Sequence, residues 1–274
     1  PFLVLAAGSC AVTFWVQYSG GTVAPLERLP FGDRFANAWM SYARYLGKAV
    51  WPAHLAIIYP HPGQWPVWPV AGAALLVTGF TAAAIGLVRR RPWLAVGWLW
   101  YLGTLVPVIG LVQVGVQSIA DRYTYVPLIG LFILLTWEMS EWTTGWSCRR
   151  AVLVCSAVAA LAGCAATTWR QVRYWKDGET LFAHAAKVTT NNRTALNNLG
   201  KAQRAKGDWD GAIASYLEIL RFRPGDADAQ MDLGSALASQ GKLDEAFPHF
   251  AEALRLRPDD AEVHFNWGNA LALA

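Results

Sequence analysis

The apolar positions of this 274-residue chain follow two different rules along its length. In the first part they run on without periodic relief. Ala49–Val88 contains no Asp, Glu, Lys or Arg, and neither does Pro92–Ala120. A helix that crosses a bilayer needs about 20 such residues. The pattern predicts spans at Pro1–Tyr18, Val67–Val88, Pro92–Val112, Tyr123–Trp137 and Ala151–Trp169. The fourth is short unless it extends back through Ser118–Arg122, which draws Asp121 and Arg122 to the membrane boundary. From Asn191 onward apolar residues return at helical spacing, and the whole pattern repeats every 34 residues. Leu199, Leu233 and Trp267 are each followed by a glycine, at 200, 234 and 268. Gly207 and Gly241, Ala212 and Ala246, Tyr216 and Phe250, and Pro224 and Pro258 keep the same offset. The expected fold class is all-α.

A 34-residue period with a small residue after a large apolar one, closed by proline, is that of tetratricopeptide (TPR) helix pairs, which stack into an α-solenoid. Arg223-Pro224 and Arg257-Pro258 end the second helix of each pair, and Asp226 and Asp260 then stand where a helix N-cap is needed. Gly178–Lys187 carries Phe182 and Ala185 at the spacing of a second repeat helix and reads as a coupling element. The expected organisation is a polytopic membrane region over 1–175 and a TPR domain over 176–274. The latter holds a coupling helix, two full repeats and the start of a third.

Between the first two spans, Ser19–Pro66 is too apolar for a plain linker. Trp39, Tyr42, Ala43, Leu46 and Val50 recur at helical spacing, with Arg44 and Lys48 on another face. This predicts an amphipathic helix in the membrane interface, its aromatic side toward lipid headgroups, with Trp51, Trp65 and Trp68 in the aromatic belt. The following WPAHLAIIYPHPGQWP is broken by Pro52, Pro60, Pro62 and Pro66, so no continuous helix passes through it. Irregular backbone at membrane depth has to be buried in protein or line a cavity. A passive surface loop is the alternative.

Charge sharpens the picture by giving the spans a direction. Hydrophobic residues make up 54% and charged residues 15% of the chain, too apolar for an ordinary soluble protein, and the net charge of +4 leaves no nucleic-acid footprint. Arg89-Arg90-Arg91 and Arg149-Arg150 sit in short connections two helices apart. The excess of basic residues in cytoplasmic loops puts both inside. Ser19–Pro66, Gln113–Arg122 and everything after Trp169 then lie outside, which places the TPR domain on the periplasmic or lumenal side of a bacterial inner membrane or an ER membrane. Four cysteines without CxxC spacing and five scattered histidines point to neither a disulfide framework nor a metal site. No cofactor is evident. The chain opens at Pro1 inside an apolar stretch and stops within a third repeat, so both ends read as cuts through a longer protein.

Candidate chemistry concentrates in QVGVQSIADRYTYVPLIGL. Asp121 and Arg122 stand at the mouth of a helix, with Gln113 and Gln117 before them and Tyr123 and Tyr125 after. Ionisable groups at such a depth are costly and are paired or functional. Arginine's planar fork suits phosphate oxygens, whereas salt bridges to neighbouring helices would make the pair a packing device. Both readings stand. Asp33 heads the amphipathic segment, where an acidic residue complements the helix dipole and a general base is the competing reading. In the repeats, Asn198, Asp232 and Asn266 precede each Leu/Trp–Gly pair and predict a polar ladder along a peptide-binding groove, since amides offer both donor and acceptor. That ladder resembles the asparagine ladder with which the TPR domain of O-GlcNAc transferase grips peptide backbone. Asn192-Arg193-Thr194 fits an N-glycosylation acceptor.

RFANAWMSYARYLGKAVWPAHLAIIYPHP, then ADRYTYVPLIGL, then a last span followed by WKDGETLFAHA and repeats together resemble one family. It is that of the transmembrane-and-TPR-repeat proteins and their bacterial relatives. These are glycosyltransferases of the GT-C fold, whose eukaryotic members are implicated in protein O-mannosylation. The resemblance implies a polyprenyl-phosphate-linked sugar as donor, transfer on the outer face, and a protein acceptor held by the TPRs. It implies that Arg122, with Arg34, Arg44 and Lys48, faces the lipid phosphate or donor sugar, beside Asp121 and Gln117. The family's acidic catalytic residue lies in a first outer loop that precedes every motif recognised here, so the resemblance names no catalytic base in this chain. A membrane-anchored TPR scaffold without catalysis is the competing reading.

Overall fold

The structure, a computed structural model, describes residues 29–111, 115 and 117–272, with positions 12, 15, 16, 19 and 20. The expected span at Pro1–Tyr18 and the candidate Gln113 lie otherwise outside the described residues. Among those residues the protein is nearly all-α, with eleven α-helices and two very short strands, Tyr59–Pro60 and Gln117–Ile119. It divides into two compact units, one of residues 1–53 and 61–168 and one of residues 54–60 and 169–274.

The first unit begins with α1 (Phe31–Val50). Pro30 leads into it, Asp33 in its first turn and Lys48 in its last complement the helix dipole, and Trp51 ends it. Because Pro52 follows, Trp51 is held extended at φ −134°, ψ 92°. The buried stripe is Arg34, Asn37, Ala38, Ser41, Tyr42 and Tyr45, a 3–4 residue spacing over three turns. The face expected toward lipid headgroups, Trp39, Tyr42, Ala43, Leu46 and Val50, is mostly not buried within the unit. Only Tyr42 of that set is buried, and Val50 is 83% exposed. The helix turns Asn37 inward to hydrogen-bond partners and leaves Phe31, Phe35 and Val50 outside.

Among the described residues three helical stretches are long and apolar enough to cross a membrane: Val67–Gly86, Asp121–Trp142 and Arg149–Trp175. They contain α2 (Val67–Gly86), α4 (Tyr125–Trp142) and α5 (Arg149–Val172). The fourth runs back to Asp121, the extension that draws the charged pair to its mouth. α3 (Pro92–Leu105) is shorter, but a 3₁₀ turn continues it to Val108. Helix and turn together reach about 27 Å, close to a hydrocarbon core. Gly97 of α3 and Gly130 of α4 face each other so closely that a Cβ on either would strike the other's carbonyl oxygen. Close backbone approach through small residues is how helices associate where no hydrophobic force separates protein from lipid. Along α5, Val154, Val158 and Leu161 are more than half exposed. A contiguous exposed face of large apolar side chains suits hydrocarbon rather than water.

The second unit is a stack of helix pairs: α6 (Gly178–Val188), α7 (Arg193–Ala205), α8 (Trp209–Phe222), α9 (Ala227–Ser239), α10 (Leu243–Leu256) and α11 (Ala261–Leu271). Asn192, Asp226 and Asp260, spaced 34 apart, cap α7, α9 and α11 by accepting backbone N–H bonds. Gly207 and Gly241 turn the chain between the helices of each pair at φ +79°, a conformation glycine adopts without cost. The core is Ala212, Tyr216, Ile219, Leu233, Ala246 and Phe250, all at most 1% exposed. Gly200 lies under the Tyr216 ring, where a Cβ would fall 2.7 Å from its Cε1. The repeated Leu–Gly pair thus exists to admit an aromatic ring from the next helix.

Candidate functional site

α1 and the irregular segments beside it build a polar cluster in the first unit. Asn37, fully buried, donates from Nδ2 to the carbonyls of Ile109 and Ser118, both at 3.2 Å, and accepts from Trp65 Nε1 at 3.2 Å. One turn on, the Ser41 hydroxyl is buried with no hydrogen-bond partner among the described residues. A further turn brings Arg44, which donates to Ser118 Oγ at 3.1 Å and lies over the Trp65 ring with its Cζ 5.6 Å from the centroid. Tyr45 clamps the start of the fourth span: its hydroxyl donates to the Ala120 carbonyl and accepts from the Ala120 N–H. Burial pushes that hydroxyl up to about 12, so it stays protonated.

Lys48 completes the helix face, with its Nζ 3.9 Å from Asp121 Oδ1. Burial draws its ammonium below the ordinary lysine value, Asp121 opposes this and Arg44 adds to it. Two cations thus share one half-buried face with one carboxylate. Gln117 donates to the Tyr123 hydroxyl at 3.2 Å, and the exposed Arg122 guanidinium lies 5.1 Å from the Tyr123 ring centroid. Arg34 is buried elsewhere along α1 and donates from Nε to the Leu29 carbonyl at 3.0 Å. Of the predicted cationic set, Arg44 and Lys48 are brought together with Asp121, Arg34 serves the chain leading into α1, and Arg122 is reached through Tyr123.

Two residues of this cluster carried no signal in the sequence. Trp65 read as an interfacial aromatic, yet it bonds Asn37 and underlies Arg44. His61 read as an ordinary histidine. Its Nδ1 accepts from the Gly63 N–H at 3.0 Å, which puts the ring proton on Nε2, and that atom is buried without a partner among the described residues. Burial lowers its pKa, with Asp33 raising it and Arg44 lowering it. His61 is therefore a neutral donor facing the Arg44 surroundings. Unsatisfied buried polar atoms, as at Ser41 and His61, call for a ligand or water. No group of three or more His, Cys, Asp or Glu with metal-holding geometry occurs among the described residues.

In the second unit the expected groove residues occupy equivalent places on α7, α9 and α11 and behave differently. Asn198 donates to the Thr194 carbonyl of its own helix at 2.9 Å. Asp232, 4% exposed, is paired with Arg204 at 3.1 Å and Lys201 at 3.9 Å. Burial raises its pKa in spite of both cations. Asn266 is half-buried. A family model described as the tetratricopeptide repeat matches residues 175–227 and 197–261. The C-terminal unit is a TPR domain.

Curated relatives resemble the chain over 114 residues. It is 30% identical to protein O-mannosyl-transferase Tmtc2 of Drosophila melanogaster, and 28% identical to protein O-mannosyl-transferase TMTC3 of Homo sapiens and of Mus musculus. The match covers 42% of this chain and 12% of each relative. Within the TPR domain, Asn192 is 2% exposed, caps α7, and donates from Nδ2 to Ile58 O and Thr189 Oγ1. The nitrogen that would carry a glycan is occupied, so the folded Asn192-Arg193-Thr194 is no acceptor. Protein–protein interaction is what TPR domains supply through their stacked helix faces.

Proposed function

We propose that this chain is part of a membrane glycosyltransferase that moves a sugar from a polyprenyl-phosphate donor to a protein hydroxyl, with the TPR domain holding the acceptor. The observation that carries the reading is the convergence of Arg44 and Lys48 on one face, beside the unpartnered donors of Ser41 and His61. The similarity to protein O-mannosyl-transferases supports it. In the transfer the acceptor oxygen attacks the anomeric carbon, the bond from that carbon to the phosphate oxygen breaks, and polyprenyl phosphate leaves with added negative charge. Cations held in place before that charge develops lower the barrier most. Arg44 and Lys48 meet the leaving phosphate in this scheme, Arg122 and Gln117 flank its approach, and Asp121 holds Lys48 toward it. The acceptor proton passes to a base outside the residues assigned. The spans lie in a bacterial inner membrane or an ER membrane, with the TPR domain on the periplasmic or lumenal side.

The test is transfer from a polyprenyl-phosphate-linked mannose by the full-length protein in membranes. Arg44→Ala and Lys48→Ala each lower the rate at least tenfold with normal membrane insertion, and Arg122→Ala lowers it less. Undiminished transfer in the Arg44→Ala, Lys48→Ala double variant overturns the phosphate assignment and favours a membrane-anchored TPR scaffold without catalysis.

A further inference from the structure

Two connections of the first unit gather at one end of its spans. Arg89-Arg90-Arg91 leads from α2 into α3, and the turn after α4 leads into Arg149-Arg150 at the start of α5. Arg91 pairs with Glu138 near the end of α4, and Trp93 Nε1 donates to the same carboxylate at 3.2 Å. Arg149 donates to Ser140 Oγ at 2.7 Å. Glu138 and Ser140 are two residues apart on α4, so the two connections approach its end from different sides. Charge at this end is uneven, with five arginines against Glu138 and Glu141. Arg89, Arg90 and Arg150 are exposed, and their side chains have no hydrogen-bond or ion-pair partner among the described residues. The helix ends do not employ them. Thr143 and Thr144 donate their hydroxyls to the Met139 and Ser140 carbonyls at the close of α4. No acidic residue stands in the first turn of α5, so Arg149 and Arg150 add to the positive end of that helix. Exposed tryptophans accompany these cations: Trp137, Trp142 and Trp146, the last two with ring centroids 5.5 Å apart. An exposed indole suits the headgroup level of a bilayer, where its ring meets apolar atoms and its N–H stays wet.

We propose that Arg89, Arg90 and Arg150, with Trp142 and Trp146, form a docking surface for the headgroups of anionic phospholipids. The lipid phosphate supplies the negative charge that Glu138 and Glu141 leave unmatched, and the glycerol and ester groups lie at the depth indoles favour. A soluble anion is a poorer fit, because exposed guanidiniums build no enclosure around it. The surface uses no residue of the Arg44–Lys48 cluster and none of the TPR domain. It requires only that the spans cross a bilayer, so it stands or falls apart from the sugar-transfer reading.

The test is lipid binding by the full chain in detergent, followed by native mass spectrometry with phosphatidylglycerol and with phosphatidylcholine of the same acyl chains. The wild type is expected to bind phosphatidylglycerol at least about tenfold more tightly, with a preference that weakens as salt rises. Arg89→Gln, Arg90→Gln and Arg150→Gln together abolish the preference. Arg89→Lys, Arg90→Lys and Arg150→Lys together retain it, since the surface works by charge rather than by a planar fork. Trp142→Ala with Trp146→Ala weakens binding of both lipids alike, and unchanged affinity in that variant removes the two rings from the surface. Equal affinity of the wild type for the two lipids, or a preference that survives the glutamine variant, overturns the proposal. Displacement of phosphatidylglycerol by an equal concentration of inorganic phosphate overturns it in favour of a soluble anion.

Discussion

Asp232 holds a charge at a place where its repeat equivalents, Asn198 and Asn266, hold amides. It is nearly buried, and desolvation outweighs the pull of Lys201 and Arg204, so its folded-state pKa lies above the ordinary carboxylate value. The folded protein then binds this proton more tightly than the unfolded chain does. Its contribution to stability is present below the unfolded carboxylate pKa and is lost as pH rises through the folded value. Asp232→Asn should remove this loss, and Arg204, whose side chain is 30% exposed, remains able to reach water. The expected outcome is a melting temperature at pH 7 no lower than wild type and a flatter profile from pH 4 upward. A drop of several degrees at pH 7 would show that the pair with Arg204 is worth more than its desolvation.

At the scale of elements, the three repeat glycines provide an internal calibration. A Cβ at Gly200 meets the Tyr216 ring at 2.7 Å, one at Gly234 meets the Phe250 ring at 3.2 Å, and one at Gly268 meets nothing within 4 Å. Gly200→Ala should therefore cost about 1–3 kcal/mol by overpacking a ring with no room to retreat. Gly234→Ala should cost less. Gly268→Ala should be neutral or gain up to about 1 kcal/mol from alanine's better helix propensity. Chemical denaturation of the three variants gives the order directly, and an equal cost at all three would contradict the packing account. These features were legible in the sequence because each is local or strictly periodic: the caps Asp226 and Asp260, the glycines, and the proline stops. The α1 stripe was not. Its inward residues Arg34, Asn37 and Ser41 are polar, and Asn37 finds its partners far along the chain, at Ile109, Ser118 and Trp65. Hydrophobic periodicity carries no trace of such partners. His61 and Trp65 were missed for the same reason, since neither spacing nor composition says that a proline-broken loop returns to a helix face.

The molecule as a whole tests its proposed orientation with a residue it already has. Cys148 is exposed in the connection between α4 and α5, next to Arg149-Arg150. If basic connections face the cytoplasm, a membrane-impermeant maleimide should leave Cys148 unlabelled in intact cells or sealed vesicles and label it after permeabilisation. A cysteine introduced at the exposed Asp259 turn of the TPR domain should show the opposite pattern. Labelling of both from the same side would rule out an odd number of crossings between them, and with it the outward placement of the acceptor-holding domain.

One consequence follows from the burial of Asn192. In a eukaryotic host whose ER lumen receives this segment, the tripeptide it begins is a glycosylation acceptor only while the amide nitrogen is within reach. In the finished fold that nitrogen is turned to Ile58 and Thr189, a commitment that forms only when the loop before the second span has been threaded and returned. The site is open early in synthesis and shut late. In such a host, a sugar at this position would mark chains that lingered before closing, and its absence would record timely assembly.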